Sequence, residues 1–165
     1  MKYLKLFEDV DKNLYPDIDE ICKQYKIKDY TINPDGSIDV DENVNLSNKG
    51  LTKLPLKFNK IRYNFYCRNN RLTTFENFPI EVGLNFNCSH NFITSLKGCP
   101  KYVGGDFTIY NNLIDTIDNF PNVRKNFDLR KNPLRSLGNY NLSYELLICD
   151  NNKELISKHI KERIK

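Results

Sequence analysis

The chain repeats itself about every 21 residues, and that period constrains its fold more than any other property. Phe65, Phe86, Phe107 and Phe127 follow one another at intervals of 21, 21 and 20 residues. Two places after each stand Cys67, Cys88, Ile109 and Leu129, and five places after each stand Asn70, Asn91, Asn112 and Asn132. A fainter first unit carries Val44, Leu46, Leu51 and Leu54 in phase, with Lys49 where the asparagine belongs. A fainter last unit carries Leu147, Cys149 and Asn152. A unit of this length cannot bury its apolar side chains alone. It does so by stacking on its neighbours, which makes the chain a solenoid.

The shared pattern is φxφxxNxφxxφ, with φ apolar. The φxφ pair places two side chains on one face of a short strand, and strands of successive units lie side by side about 4.8 Å apart. The asparagine marks the turn off the strand. The next apolar pair (Leu72/Phe75, Ile93/Leu96, Ile114/Ile117, Leu134/Leu137) carries the chain round the core. Phe78-Pro79, Cys99-Pro100, Phe120-Pro121 and Tyr140-Asn141 follow. Proline opposes a helix there, so the return side is expected to be extended or 3₁₀.

This pattern resembles the leucine-rich repeat family, whose core is LxxLxLxxNxL, over about residues 43–155. Phenylalanine and cysteine replace leucine at many positions. The short units, and endings such as LTKLP and ITSLKGCP, look most like bacterial and bacteriophage repeat types. The resemblance implies an α/β leucine-rich repeat solenoid with one short parallel strand per rung. It also implies a hydrogen-bonded ladder formed by Asn70, Asn91, Asn112, Asn132 and Asn152, and a concave sheet that binds another protein. By analogy with phage-borne relatives, the bound protein would be a host protein that this chain modulates.

The flanks lack the repeat and read as caps. Residues 1–42 are expected to hold a helix from Pro16 to about Tyr25, with Ile18, Ile21 and Cys22 facing inward. Acidic residues stand in its first turn, where the helix dipole favours them. Tyr30–Ile32 and Ser37–Val40 then flank Asn33-Pro34-Asp35-Gly36, a hairpin signature, expected to cover the open edge of the first rung. Residues 43–152 form about six rungs. Residues 153–165 are expected to form an amphipathic capping helix with Leu155, Ile156, His159, Ile160 and Ile164 on one face.

Nothing in the spacing suggests catalysis. DGSIDVDE lacks the order of a calcium loop, no zinc spacing is present, and neither His90 nor His159 belongs to an arguable triad. No cofactor, metal or catalytic residue is expected. The five cysteines read as small buried hydrophobes of a reducing compartment. With no apolar run of membrane-spanning length and charges within the first apolar residues, the expected setting is the cytoplasm.

Pleat alternation predicts the residues that the sheet displays. They fall in four columns, headed by Asn43, Asn45, Ser47 and Asn48 and recurring with the repeat. Among them Tyr66, Arg68, His90, Tyr110 and Arg130 are the candidate contacts, because tyrosine and arginine dominate contact energies elsewhere. The asparagine-rich columns could equally stack amides along the sheet. Residues 1–42 carry a net charge of −5 and residues 43–165 carry +9. Solvated surface explains this simply. A nucleic-acid-binding adaptor is the alternative function it allows.

Overall fold

The computed structural model describes residues 17–136 and 147–148. It contains helix α1 (Ile18–Tyr25) and twelve strands. These are β1 (Tyr30–Ile32), β2 (Ile38–Val40), β3 (Val44–Asn45), β4 (Phe58–Ile61), β5 (Phe65–Tyr66) and β6 (Glu81–Val82). They continue with β7 (Phe86–Asn87), β8 (Tyr102–Val103), β9 (Phe107–Thr108), β10 (Asn122–Val123), β11 (Phe127–Asp128) and β12 (Leu147–Ile148). The strands form two six-stranded sheets. Sheet A runs β1-β2-β4-β6-β8-β10 and sheet B runs β3-β5-β7-β9-β11-β12. The chain is thus a parallel β-solenoid of about four turns.

Sheet B is the sheet expected from the φxφ pairs. Its register places Val44 against Phe65, Phe65 against Phe86, Phe86 against Phe107, and Phe107 against Phe127. Phe65, Phe86 and Phe107 are fully buried, and the four phenylalanines form a column of near-parallel rings with centroids 5.9, 4.8 and 4.9 Å apart. Burying one such ring stabilises the fold by roughly 1.5–3 kcal/mol, and each aromatic pair adds about 0.5–1.5 kcal/mol. Cys67 and Cys88 fill the next column at no exposure.

Sheet A differs from the expected return side, which is not a plain extended crossing. It is a second parallel sheet whose strands stand just ahead of those of sheet B. Val40, Ile61, Val82, Val103 and Val123, each four residues before a sheet B core residue, are buried along it. A tight corner such as Gly83-Leu84-Asn85 separates the paired strands, so Val82 and Phe86 both point into one core. The backbone of successive corners approaches closely there. A Cβ on Gly83 would lie 2.0 Å from the Arg62 carbonyl oxygen.

Two further corners need left-handed backbone. Asn77, Gly98 and Asn119 have φ of 65°, 84° and 61°, which explains why Asn or Gly precedes the Phe-Pro and Cys-Pro pairs. Asn48, Asn69, His90, Asn111 and Lys131 adopt φ of 55–58° at the exit from sheet B.

Helix α1 lies within the expected span. Ile18 and Cys22 are buried in the common core, and Ile21 is partly buried against it. The hairpin pairs Tyr30 with Val40 and Ile32 with Ile38. Its second strand is also the first parallel strand of sheet A. The hairpin therefore prolongs sheet A past the first rung, and among the described residues no strand pairs with the β3 edge of sheet B. The expected C-terminal helix, Asn152, Leu137 and Tyr140-Asn141 lie outside the described residues.

Candidate binding face on sheet B

Two ladders fix the geometry of this face. The inner ladder is the expected one. Asn91 Nδ2 donates to the carbonyls of Cys67 (3.1 Å) and Cys88 (3.2 Å), and its Oδ1 accepts the Leu72 amide at 3.0 Å. Asn112 repeats this with the Cys88 and Ile109 carbonyls and the Ile93 amide, all at 3.0 Å. Asn132 does so with the Ile109 and Leu129 carbonyls and the Ile114 amide. Asn70, in the rung that follows the atypical first unit, accepts two amides, those of Lys49 and Leu51. Each side chain binds its own rung and the one before. These side-chain amides, buried at Asn70, Asn91 and Asn112, thereby satisfy polar backbone that would otherwise be orphaned.

The outer ladder occupies a column that sequence alone offers as displayed surface. Asn64 donates to Asn43 Oδ1, Asn85 N–H donates to Asn64 Oδ1 (3.0 Å), Asp106 N–H to Asn85 Oδ1 (2.9 Å) and Asn126 N–H to Asp106 Oδ1 (3.0 Å). These side chains are committed to the corner between the sheets. The stacked-amide explanation holds for this column, and in part for the column headed by Asn48, where Asn69 Nδ2 donates to Asn48 Oδ1 at 2.6 Å and Asn111 Nδ2 lies 2.9 Å from His90 Nδ1.

The five candidate residues separate into two groups. Tyr66 and Arg68 line an open depression of ≈ 460 Å³ with Asn45, Ser47, Asn48 and Asn87. Arg68 has no ion pair among the described residues. His90, Tyr110 and Arg130 form a continuous cluster over the next three rungs. The His90 ring lies 5.2 Å from the Tyr110 ring, and the Arg130 guanidinium stands 5.7 Å from the Tyr110 centroid. Asp128 holds Arg130 through bonds of 3.0 and 2.7 Å. Lys131, absent from the sequence candidates, adds an ammonium 5.3 Å from the same ring. Its place in the left-handed column, one residue after Arg130, was the available signal.

Two exposed apolar side chains also escaped sequence analysis. Phe92 (50%) and Leu113 (49%) stand in equivalent positions on adjacent rungs, just beyond the inner ladder. Each lies between two inward residues, and this alternation was readable from the repeat.

Burial pushes the Cys99 thiol up to about 12 and the Cys67 thiol well above the ordinary range, with Cys88 beside it adding to the effect. Such thiols are poor nucleophiles. Among the described residues no group of three or more His, Cys, Asp or Glu gathers in a metal-binding arrangement, and no helix is long and apolar enough to cross a membrane. Comparison of the chain with protein-family models, with curated proteins and with solved structures gave no match.

Proposed function

We propose that this chain is a non-enzymatic protein-binding module of leucine-rich repeat type that engages its partner through the outer face of sheet B. The observation that carries the proposal is the His90–Tyr110–Arg130 cluster, which stands just beyond β7, β9 and β11, strands flanked by two side-chain ladders. Aromatic and guanidinium groups on a rigid support lose little conformational freedom on binding, and such groups tend to dominate interface energies. Arg68, in no ion pair among the described residues, and the polar depression beside Tyr66 extend the same face toward the first rung. Action on a host protein in the cytoplasm, by a phage or bacterial chain, is the biological setting that the short-repeat resemblance suggests.

Affinity capture tests this. The wild-type chain is compared with a Tyr66→Ala, Arg68→Ala, Tyr110→Ala variant of equal stability. Support requires a protein retained by the wild type, lost by the variant and bound again when the purified pair is mixed. Capture of nuclease-sensitive material, with salt-dependent affinity for DNA or RNA, would instead favour the adaptor reading motivated by the +9 charge of residues 43–165.

A further inference from the structure

The two sheets end differently at the first rung. Sheet A continues past β2 into β1, whereas sheet B stops at β3. At the sheet B junctions toward the first rung, alternate amides of one strand donate to carbonyls of the next. Val44, Leu46 and Asn48 donate to Asn64, Tyr66 and Arg68 (2.9, 2.7 and 3.0 Å), and Phe65, Cys67 and Asn69 donate to Asn85, Asn87 and Ser89 (each 2.9 Å). One rung earlier, the equivalent acceptors are the carbonyls of Asn43, Asn45 and Ser47. The parallel pattern also turns the Asn45 amide outward on that side. No strand pairs with this edge among the described residues. The Ser47 amide alone is already engaged, by Asn45 Oδ1 at 3.1 Å.

The surroundings are those of a receptor for a chain. The edge borders the depression lined by Asn45, Ser47, Asn48, Tyr66 and Arg68. Ser47 Oγ, shielded from solvent, has no hydrogen-bond partner there. Charge gives the site a direction. Glu42 stands at the N-terminal end of β3. Exposed Lys49 and Arg68, neither in an ion pair among the described residues, stand at the C-terminal end. A parallel strand would place its own carboxyl end against these two cations.

We propose that the β3 edge of sheet B captures an extended peptide as an additional parallel strand, with an acidic side chain or terminal carboxylate at the peptide's C-terminal end seated against Arg68 and Lys49. The peptide brackets Asn45, donating to its carbonyl and accepting from its amide, and main-chain bonds supply affinity while the cations choose the terminus. This mode is independent of the His90–Tyr110–Arg130 cluster.

Asn45→Pro is the sharpest probe. A proline whose missing N–H would have pointed away from the sheet is tolerated on an edge strand, so the inward bonds to β5 persist. The experiment titrates a fluorescein-labelled hexapeptide of alternating threonine and valine, beginning with lysine and ending in glutamate with a free carboxylate. Its counterpart ends in glutamine amide. Saturable binding is expected for the acidic peptide. It should weaken about tenfold with Asn45→Pro and about tenfold with Arg68→Gln, each a loss of one directional interaction. The counterpart should bind at least as weakly to the wild type, a comparison that needs no protein variant. Tyr110→Ala should leave the peptide affinity unchanged, which separates this site from the His90–Tyr110–Arg130 cluster. Equal binding of both peptides, or binding untouched by a folded Asn45→Pro chain, would overturn the proposal. So would the absence of saturation at millimolar peptide. A concentration-dependent dimer abolished by Asn45→Pro, without peptide binding, would assign the edge to a second copy of the chain.

Discussion

Asn91→Ala is the perturbation whose cost the structure specifies most closely. The side chain is 5% exposed. Its loss removes bonds to the Cys67 and Cys88 carbonyls, but neither carbonyl is left bare. Cys67 O keeps Asn70 Nδ2 at 2.9 Å and Cys88 O keeps Asn112 Nδ2 at 3.0 Å. The Leu72 amide has no such reserve. Its acceptor is Asn91 Oδ1, and Leu72 itself is 1% exposed. One orphaned buried amide costs about 1–3 kcal/mol, and two forfeited but replaceable bonds cost about 0.5–1.5 kcal/mol each. The expected destabilisation is about 2–6 kcal/mol. Asn85→Ala is the matched control, because its ladder bond to the Asp106 amide lies at a part-buried corner that water can reach. That variant should lose about 1 kcal/mol or less. Urea unfolding followed by far-ultraviolet circular dichroism reads both, since the chain has no tryptophan. A cost for Asn91→Ala no greater than that for Asn85→Ala, at unchanged m-value, would refute the idea that buried amide satisfaction makes the inner ladder the stronger of the two.

Other outcomes follow from the same geometry. Gly83→Ala should destabilise by about 1–3 kcal/mol in thermal or urea unfolding, because the new methyl collides with the Arg62 backbone oxygen rather than with a movable side chain. Asn77→Ala should cost about 1 kcal/mol and Asn77→Gly close to nothing, since the position is held at φ 65°. The thiol environments predict an alkaline limit. Burial raises Cys22 to about 11 and Cys99 to about 12 in the folded chain. Their contribution to stability is therefore complete below the unfolded thiol value of about 8.5 and is lost as pH rises through the folded values. In a Cys149→Ser chain, Ellman's reagent at pH 8 should find almost no reactive thiol until denaturant is added. Rapid reaction of the native chain would contradict the burial of Cys22, Cys67, Cys88 and Cys99.

The parts of the fold legible in the sequence are those written by residues that recur with one role. The Phe and Cys columns announced sheet B, and the lone asparagine five places after each Phe announced the inner ladder. Helix α1 and the hairpin carried local signals in their acidic first turn and Asn-Pro-Asp-Gly turn. Sheet A was missed because its strands are short, with β6, β8 and β10 only two residues long, too short to display alternation. Its signal was a single recurring Val or Ile four places before each Phe. The outer ladder was misplaced for a different reason. Asn43, Asn64 and Asn85 have the same chemistry as exposed asparagines, and only the corner geometry shows that their oxygens are committed to neighbouring amides. The binding face was legible as a set of columns. Its division into the Tyr66–Arg68 depression and the His90–Tyr110–Arg130 cluster depends on side-chain packing that the repeat does not encode, such as the hold of Asp128 on Arg130.

The most direct test of the proposed face is amide hydrogen exchange measured on the chain alone and on its complex with the protein that affinity capture retains. Binding through sheet B predicts slowed exchange in residues 65–69, 86–90 and 107–111, with residues 58–61, 80–82 and 101–103 of sheet A unchanged. Protection confined to sheet A, with the sheet B segments exchanging as in the free chain, would contradict the account.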